Sequence, residues 1–442
     1  MRSILFSLII LAFSFLFTGC AGDDGSYNSG ADETSEVKAA EEVCAVQLVS
    51  IQHEIDSAVD GDVIIIEPGI YYENIDFKGK AIMLKSIDPG NAEIVKNTVI
   101  DGGGLGSTVV FQSGEGVDTV LEGFTITGGN GYKVTSGSEQ NNRGLHYYGW
   151  GGGILVANES SPTIANNIID NNDGRTGGGI AVIRASSPHI FNNVIIGNRA
   201  EVGGGIYLSW SNALVEGNYI AKNSAAKGDG NTGRGGGIAI EDDAEPIIRG
   251  NILESNEAIE EGGGVFAEGV KYYLEENSFI ENVVLNGSGG AVFIGMWSSG
   301  QIIDNLFIYN SATYDGGGVS VFDSDVELLG NEFTGNTGRN GGAIDISISR
   351  AKIMGNSFLQ NRAEGLGGAI VISANEAEVS DNVFSANRAG TSGGAIWSYR
   401  SGEYSAYDPN TDKSYSLEAV IIIGDSNVFS DNEPENVYFE ER

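Results

Sequence analysis

Two glutamates, Glu241 and Glu268, have the residue type and spacing that best suit chemistry. They stand 27 residues apart at the same place in two successive repeats, and Lys271 follows the second. If the repeats stack at a strand spacing of about 4.8 Å, the two carboxylates lie about 5 Å apart. Such a pair could share a proton, act as acid and nucleophile, or bind Ca²⁺ with Asp243, and Lys271 is the nearest candidate base. The alternative is a pair of solvated acids that only repel each other.

A second candidate surface is aromatic. Side chains alternate between the two faces of a strand, so the residue after the first inward-facing aliphatic of each repeat should point outward. Stacked repeats would then expose a strip of rings suited to sugar faces or to a partner protein. The strip consists of Tyr207, Trp210, Phe266, Phe293, Trp297 and Phe322. The alternative is that the turns fold over these rings and bury them.

These residues belong to a repeat that occurs ten times from Gly151 onward. Each copy opens with two glycines, then Gly or Ala and an aliphatic residue, and closes with two asparagines five apart, such as Asn193 and Asn198. Successive copies are mostly 25 to 27 residues apart, a period typical of a solenoid. Short apolar alternations broken by Gly, Ser, Pro and Asn predict three short strands per coil. The sequence therefore predicts an all-β parallel β-helix with a ladder of asparagines in one bend.

The repeats resemble those of the right-handed parallel β-helix superfamily, which has the pectate-lyase-like fold. In the later copies, Gly-Gly-Ala-Ile segments such as Gly341–Ile344 alternate with Phe-x-x-Asn segments such as Phe333–Asn336. This pairing resembles the repeats of chlamydial polymorphic outer-membrane proteins. The resemblance implies a right-handed solenoid of about 13 coils with a helical cap at its N-terminal end. It implies no single function, since such proteins include polysaccharide lyases, hydrolases, epimerases, adhesins and surface proteins.

The first 44 residues indicate export and anchoring. A basic start and an apolar run from Ile4 to Phe17 predict a secretory signal over residues 1–19, too short to span a bilayer. Thr18-Gly19-Cys20 resembles a bacterial lipobox, which implies a lipid on the sulfur of Cys20; the alternative is an ordinary signal peptide with an incidental cysteine. Residues 20–44 are polar and predict a disordered tether, which leaves residues 45–442 for the β-helix. The expected location is the cell envelope, or the outer membrane in a Gram-negative host.

Other segments are expected to close or decorate the solenoid. Leu48, Ile51 and Ile55 have helical spacing after Ser50, a plausible N-cap, and such a helix would cover the open first coil. Insertions near residues 131–150, 225–234 and 398–418 interrupt the period. Extra loops on a solenoid often frame its binding surface, so these insertions are candidates for that role.

The charge balance limits the partners. The formal charge of −36 should repel nucleic acid, which is not an expected partner. The acids are spread along the chain, with one weaker group at Asp323, Asp325 and Asp345. This distribution favours a solubilising surface, with Ca²⁺ binding as the alternative.

Two active functions remain open from the sequence, beside a structural role as a passive spacer in the cell envelope. The first is a lipid-anchored surface protein that binds a polysaccharide or a cell-surface protein. The second is a polysaccharide-active enzyme, a lyase or epimerase before a hydrolase, acting on the face around Glu241 and Glu268. The Arg-x-Pro-x-x-Arg motif of pectate lyases and the Gly-His-Gly motif of polygalacturonases are absent from the sequence.

Overall fold

The computed structural model describes residues 49–133, 148–226, 233–399, 403–408, 413–418 and 420–440. The signal segment, the tether and Cys20 lie outside these residues, so what the sequence indicates for them stays a prediction. Within the compact unit Leu48–Arg442, the chain forms three parallel sheets of thirteen strands and a narrower parallel sheet of eight. Successive turns of the chain add one strand to each wide sheet, so the fold is an all-β parallel solenoid of about twelve turns.

The strands of each sheet follow one another in chain order. Sheet A consists of Val63–Ile66, Met83–Ser86, Val120–Glu122, Thr163–Ala165, His189–Phe191, Leu214–Glu216, Ile247–Arg249, Lys271–Glu275, Ser299–Ile303, Asp325–Leu329, Arg350–Met354, Glu376–Ser380 and Val420–Ile423. Sheet B consists of Gly69–Tyr71, Thr98–Asp101, Thr125–Thr127, Ile168–Asp170, Val194–Ile196, Tyr219–Ala221, Ile252–Glu254, Ser278–Ile280, Leu306–Ile308, Glu332–Thr334, Ser357–Leu359, Val383–Ser385 and Val428–Ser430. Sheet C consists of Ile75–Asp76, Val109–Phe111, Ile154–Val156, Ile180–Val182, Ile206–Ser209, Ile238–Glu241, Val265–Glu268, Val292–Gly295, Val319–Phe322, Ile344–Ser347, Ile370–Ser373, Ile396–Tyr399 and Val437–Glu440.

A fourth sheet, here called the narrow sheet, corrects the expectation of three strands per coil. Its two-residue strands are Arg199–Ala200, Ser224–Ala225, Glu257–Ala258, Val283–Val284, Ser311–Ala312, Thr337–Gly338, Arg362–Ala363 and Arg388–Ala389. These strands are too short to show an alternating pattern. The chain stays extended after the second asparagine of a repeat because a small residue, such as Ala200, is buried there.

The core is continuous because equivalent residues stack in register. The aliphatic residues that follow the glycine phrases pair from strand to strand, as in Ile180 with Ile206 and Ile206 with Ile238, and all three are fully buried. Phenylalanines of sheet B stack in the same way from Phe279 to Phe429, with ring centroids 4.5 to 5.0 Å apart. One repeat therefore specifies the packing of the next.

The predicted asparagine ladder is confirmed, but its restriction to one bend is wrong. The two asparagines of each repeat form two hydrogen-bonded ladders, one between sheets A and B and one between sheet B and the narrow sheet. The Oδ1 atom of Asn198 accepts hydrogen bonds from the backbone N–H and the side-chain amide of Asn172, at 3.0 and 3.1 Å. Its Nδ2 donates to the Ile169 carbonyl at 2.9 Å and to Asn223 Oδ1 at 3.0 Å. Ladder residues from Asn167 to Asn387 are at most 2% exposed, so these bonds satisfy polar groups inside the solenoid.

The glycine pairs are explained by close contact between successive turns. The first glycine of a phrase has a left-handed backbone, as in Gly289 with φ +72°. A Cβ on the second, Gly290, would lie well inside van der Waals contact with the carbonyl oxygen of Gly317 in the next turn. The third position is less restricted, and Ala291 and Ala343 occupy it.

Two helices precede the regular repeats. Helix α1, Ile51–Ser57, begins after Ser50, whose hydroxyl accepts a hydrogen bond from the His53 N–H at 3.2 Å. Its Ile51 and Ile55 are fully buried in the core, so the predicted helix and N-cap are confirmed, while its action as a cap stays a prediction. Helix α2, Ala92–Asn97, was not expected from the sequence. Neither described helix has the length and apolar character that crossing a membrane requires.

Two insertions form antiparallel ribbons where they are described. The first pairs Tyr132–Lys133 with Tyr148–Trp150, and the last pairs Glu403–Asp408 with Lys413–Glu418. The remaining parts of these insertions, and residues 227–232 of the second, lie outside the described residues.

Candidate functional site

Glu241 and Glu268 lie on neighbouring strands of sheet C, and each has its own partner. The hydroxyl of Tyr207 donates a hydrogen bond to Glu241 at 2.8 Å. Burial, together with the charges of Asp242 and Glu268, raises the pKa of the Glu241 carboxyl. Glu268 is bound instead by the guanidinium of Arg234, at 3.2 Å. The two carboxyls are therefore held in different environments rather than joined through a shared proton.

Arg234 organises this part of sheet C, and sequence reasoning missed it. Its Nε atom lies 3.1 Å from Glu261 and 3.5 Å from Glu260, while Nη1 contacts Glu268. The guanidinium also lies 5.2 Å from the centroid of the Phe266 ring, a favourable cation–π position. Arg234 ends an insertion that the sequence treats only as a loop. Its sequence position could have identified it, because Arg234 directly precedes a glycine phrase and the strand of sheet C that follows.

Lys271 does not join these glutamates. The chain turns from sheet C to sheet A before it reaches Lys271, whose ammonium contacts Glu245 at 2.5 Å and the face of the Tyr273 ring. The prediction that Lys271 serves as a base beside Glu241 and Glu268 is therefore not supported by its position.

The described residues show no ligand group for the Ca²⁺ ion that the sequence left as an alternative. Among the residues that the structure describes, no group of three or more His, Cys, Asp or Glu side chains could hold a metal ion. Tyr207 and Arg234 bind the two glutamates of the predicted set. Asp243 lies in a left-handed turn after the strand, with φ +55°, and does not complete a ligand group with Glu241 and Glu268.

Of the six aromatic residues predicted to form an exposed strip, some are buried and some are exposed. Tyr207, Phe266 and Phe293 are at most 8% exposed and belong to an apolar cluster on the outward side of sheet C. The turns with the glycine phrases cover this cluster. A Cβ on Gly289, for example, would lie 2.8 Å from the Cβ of Phe293. The expectation that these three rings are exposed is therefore wrong.

Trp210 and Trp297 are exposed at the corner between sheets C and A, with 54% and 77% of their surface accessible. Both have a left-handed backbone, with φ +45° and +59°. The backbone N–H of Trp297 donates to the Asp323 carbonyl at 2.7 Å, and the backbone N–H of Trp210 donates to the Asp242 carbonyl at 3.1 Å. The same left-handed backbone recurs at this corner in other turns, as at Arg184, Asp242 and Asp323, so it belongs to the corner and not to the tryptophans alone. The two rings are three turns apart along the corner, or about 14 Å.

A cavity of about 410 Å³ opens on the outward face of sheet C. We call it the sheet C cavity; its walls include Arg234, Glu261, Glu268, Asp315, Asp345, Phe293, Phe322 and Met296. Phe322 is 39% exposed, and Met296 is followed directly by the exposed Trp297. The cavity thus combines apolar rings with several carboxyl groups and one guanidinium.

Burial raises the pKa of two carboxyl groups in the sheet C cavity, those of Asp345 and Glu261. Burial and the charge of Asp315 raise the pKa of Asp345 to about 7, although the Ser347 hydroxyl donates to Asp345 at 3.1 Å and opposes the rise. Burial also raises the pKa of Glu261, against the effect of the Arg234 charge. Asp325, which the sequence groups with Asp345, lies on sheet A beside Arg350 instead.

Asp345 predicts a specific dependence of stability on pH. Its folded pKa of about 7 exceeds the ordinary value of 3.8, so the folded protein retains a proton that the unfolded chain has lost between these values. The free energy of unfolding is highest, as far as this group is concerned, below about pH 4. It falls as the pH rises from about 4 to 7, by at most about 4 kcal/mol. We expect Asp345→Asn to raise the Tm relative to the wild type more at pH 8 than at pH 4.5. Thermal unfolding across this range, with the exposed Asp304→Asn as control, measures the difference; an equal shift at both pH values would contradict it.

The family comparison agrees with the fold. No curated protein sequence matches the chain. The family model described as the right-handed β-helix region matches residues 87–279 and 262–411, which together cover 325 of the 442 residues. This match includes the sheet C cavity and both exposed tryptophans, and it assigns no ligand or reaction. Since it extends over well more than half of the sequence, the chain belongs to the right-handed β-helix family.

Proposed function

We propose that this protein binds a polysaccharide across the sheet C cavity and the adjoining corner at Trp297. The observation that carries the proposal is an exposed tryptophan next to a cavity lined by both aromatic rings and carboxyl groups. Aromatic faces pack against the C–H faces of sugar rings, and carboxylates accept hydrogen bonds from sugar hydroxyls. Trp210 extends this surface along the same corner toward earlier turns.

The charges of the site indicate the class of polysaccharide. Glu261, Glu268, Asp315 and Asp345 face a single cation, Arg234, and the whole chain carries a formal charge of −36. This potential attracts cations and repels anions. The ligand of the sheet C cavity is therefore a neutral or amino-sugar polymer rather than an acidic one.

The proposal includes the location that the sequence indicates. A lipid on Cys20 would anchor the chain in the cell envelope, and residues 20–44 would serve as a tether with a reach of roughly 25–30 Å. A cell-surface protein is the alternative partner, because exposed tryptophans also suit protein interfaces.

The test is retention of the purified protein on a panel of immobilised neutral, amino and acidic polysaccharides. We expect retention on a neutral or amino polymer, and a loss of about tenfold in affinity for Trp297→Gly, because one stacking contact is removed. Glycine keeps the left-handed backbone, as Gly269 does at the same corner one turn earlier. Tyr72→Ala, which removes a ring that is 74% exposed directly after the first strand of sheet B, is the matched control. Unchanged retention of Trp297→Gly on the bound polymer would refute the proposed surface.

A second candidate function is hydrolysis of glycosidic bonds in the same cavity. The observation that favours it is that Asp345, which stays protonated up to about pH 7, lies in the cavity with Asp315, whose charge contributes to that raised pKa. Hydrolysis needs one carboxyl that donates a proton to the leaving oxygen and one carboxylate that acts as base or nucleophile. Among the enzyme classes that the sequence left open, this geometry favours a hydrolase, because Lys271 does not reach the cavity as the base of a lyase. The same panel, assayed for new reducing ends with wild type, Asp345→Asn and Asp315→Asn, separates binding from turnover.

A further inference from the structure

The narrow sheet carries a second cavity whose character is opposite to that of the sheet C cavity. Its volume is about 550 Å³, and its walls include Thr313, Thr337, Arg339, Arg362 and Glu364. We call it the narrow-sheet cavity. Two guanidinium groups and two hydroxyls thus surround a space that contains one carboxylate.

The two arginines of this cavity lack partners. Within the described part of the chain, Arg339 and Arg362 form no ion pair and no side-chain hydrogen bond, whereas Arg175, Arg249 and Arg350 are each paired with an acid. The sequence has 60 acidic residues against 24 lysines and arginines. Arg199 also lacks an ion pair among the described residues, so it is the position of Arg339 and Arg362 together in one cavity that points to an external anion.

The strand register adds an independent observation. Arg362 lies directly beside Arg388 on the neighbouring strand of the narrow sheet. Only Arg388 is neutralised, by Glu433 at 2.6 Å. Like charges at directly paired positions of a sheet destabilise it. On its other side, Arg362 pairs in register with Thr337, whose side chain is exposed. The Thr337 hydroxyl and the Arg362 guanidinium therefore stand side by side, and neither donates to an acceptor among the residues that the structure describes.

We propose that the narrow-sheet cavity binds the oxyanion of an acidic sugar, either a carboxylate or a phosphate monoester. Guanidinium groups bind such oxyanions through paired N–H donors, which strengthens the hydrogen bonds and fixes the orientation of the anion. The Thr337 hydroxyl offers a hydrogen bond to a neighbouring sugar hydroxyl, whereas the Thr313 hydroxyl already donates to the Leu285 carbonyl at 2.7 Å. Glu364 and the acidic surroundings disfavour polyanions, so the fitting ligand carries an isolated anionic group.

This inference is independent of the proposal for the sheet C cavity, since the two cavities share no wall residue. Isothermal titration of the purified protein with glucuronate, glucose 1-phosphate and methyl glucoside, at constant ionic strength, tests it. We expect saturable binding of one or both charged sugars and none of methyl glucoside. Response to glucuronate alone identifies a carboxylate, and response to glucose 1-phosphate alone identifies a phosphate.

Substitutions distinguish binding of the anion in this cavity from non-specific attraction to positive charge. Arg339→Ala and Arg362→Ala should each weaken binding about tenfold or more, because each removes charged hydrogen bonds to the anion. Arg199→Ala removes the same charge from the other end of the narrow sheet, where Arg199 also lacks an ion pair among the described residues, and should leave binding unchanged. Arg362→Ala should also unfold at the same temperature as the wild type or higher in the absence of sugar, which shows that it folds. Absence of saturable binding, or equal affinity in all three variants, would overturn the proposal.

Discussion

Replacing Asn282 by leucine is expected to destabilise the protein by about 3 kcal/mol or more, because the change leaves several buried polar groups unpaired at once. Asn282 Oδ1 accepts hydrogen bonds from the backbone N–H and the side-chain amide of Asn256, both at 3.0 Å. Its Nδ2 donates to the Leu253 carbonyl at 2.8 Å and to Asn310 Oδ1 at 3.0 Å. Leucine has a similar volume but replaces none of these bonds, and Asn282 is fully buried.

Urea unfolding followed by circular dichroism would measure this loss. Asn286→Leu is the matched control, since Asn286 is exposed and accepts one hydrogen bond, from the Tyr314 hydroxyl at 3.2 Å. We expect the control to change the unfolding midpoint little. If both variants unfold at the same urea concentration, the asparagine ladder does not stabilise the solenoid in the way described.

Gly290→Ala is expected to lower stability by about 3 kcal/mol, the upper end for an overpacked site, although it adds a single methyl group. The new Cβ would overlap the carbonyl oxygen of Gly317 and would lie 2.6 Å from the carbonyl carbon and oxygen of Ser311. All these atoms belong to the backbone of the next turn, so they cannot move aside without disturbing the strand spacing. The same overlap recurs at the second glycine of the other stacked phrases, for example at Gly263 and Gly342.

The adjacent position provides the control for this prediction. Gly318→Ala adds the same methyl group at the third place of a phrase, where Ala291 and Ala343 already stand in the turns on either side. Its loss should be within about 1 kcal/mol. Thermal unfolding of both variants measures the two losses of stability. Equal losses would show that contact with the next turn is not what excludes a larger residue at Gly290.

The sequence placed Glu241 and Glu268 correctly on neighbouring strands, but it could not assign their partners. Both glutamates occupy the same place in successive repeats, and register alone brings them together. Arg234, Asp315 and Asp345 reach the sheet C cavity from different turns and an insertion. Their proximity depends on the path of each loop, which no local pattern encodes.

The sequence also could not predict which parts of the surface are exposed. Strand alternation correctly assigns Tyr207 and Phe293 to the outward side of sheet C, but it does not reveal that turns cover that side. Trp297 is exposed because it stands at a corner, in a left-handed conformation fixed by its hydrogen bond to Asp323. The surface available to a ligand thus follows from the course of the turns and not from the alternation of side chains.

By itself, the sequence determined the solenoid, the stacking of the glycine phrases, the asparagine ladders and helix α1 with its N-cap at Ser50. Each of these follows from contacts between neighbours in the chain or between equivalent residues of successive repeats, so one repeat specifies the next. The tertiary structure alone decided which rings are buried, which acids Arg234 pairs with, and how Asp345 acquires its raised pKa. These features depend on desolvation and on charges from distant segments, and such effects exist only after the chain has brought those segments together.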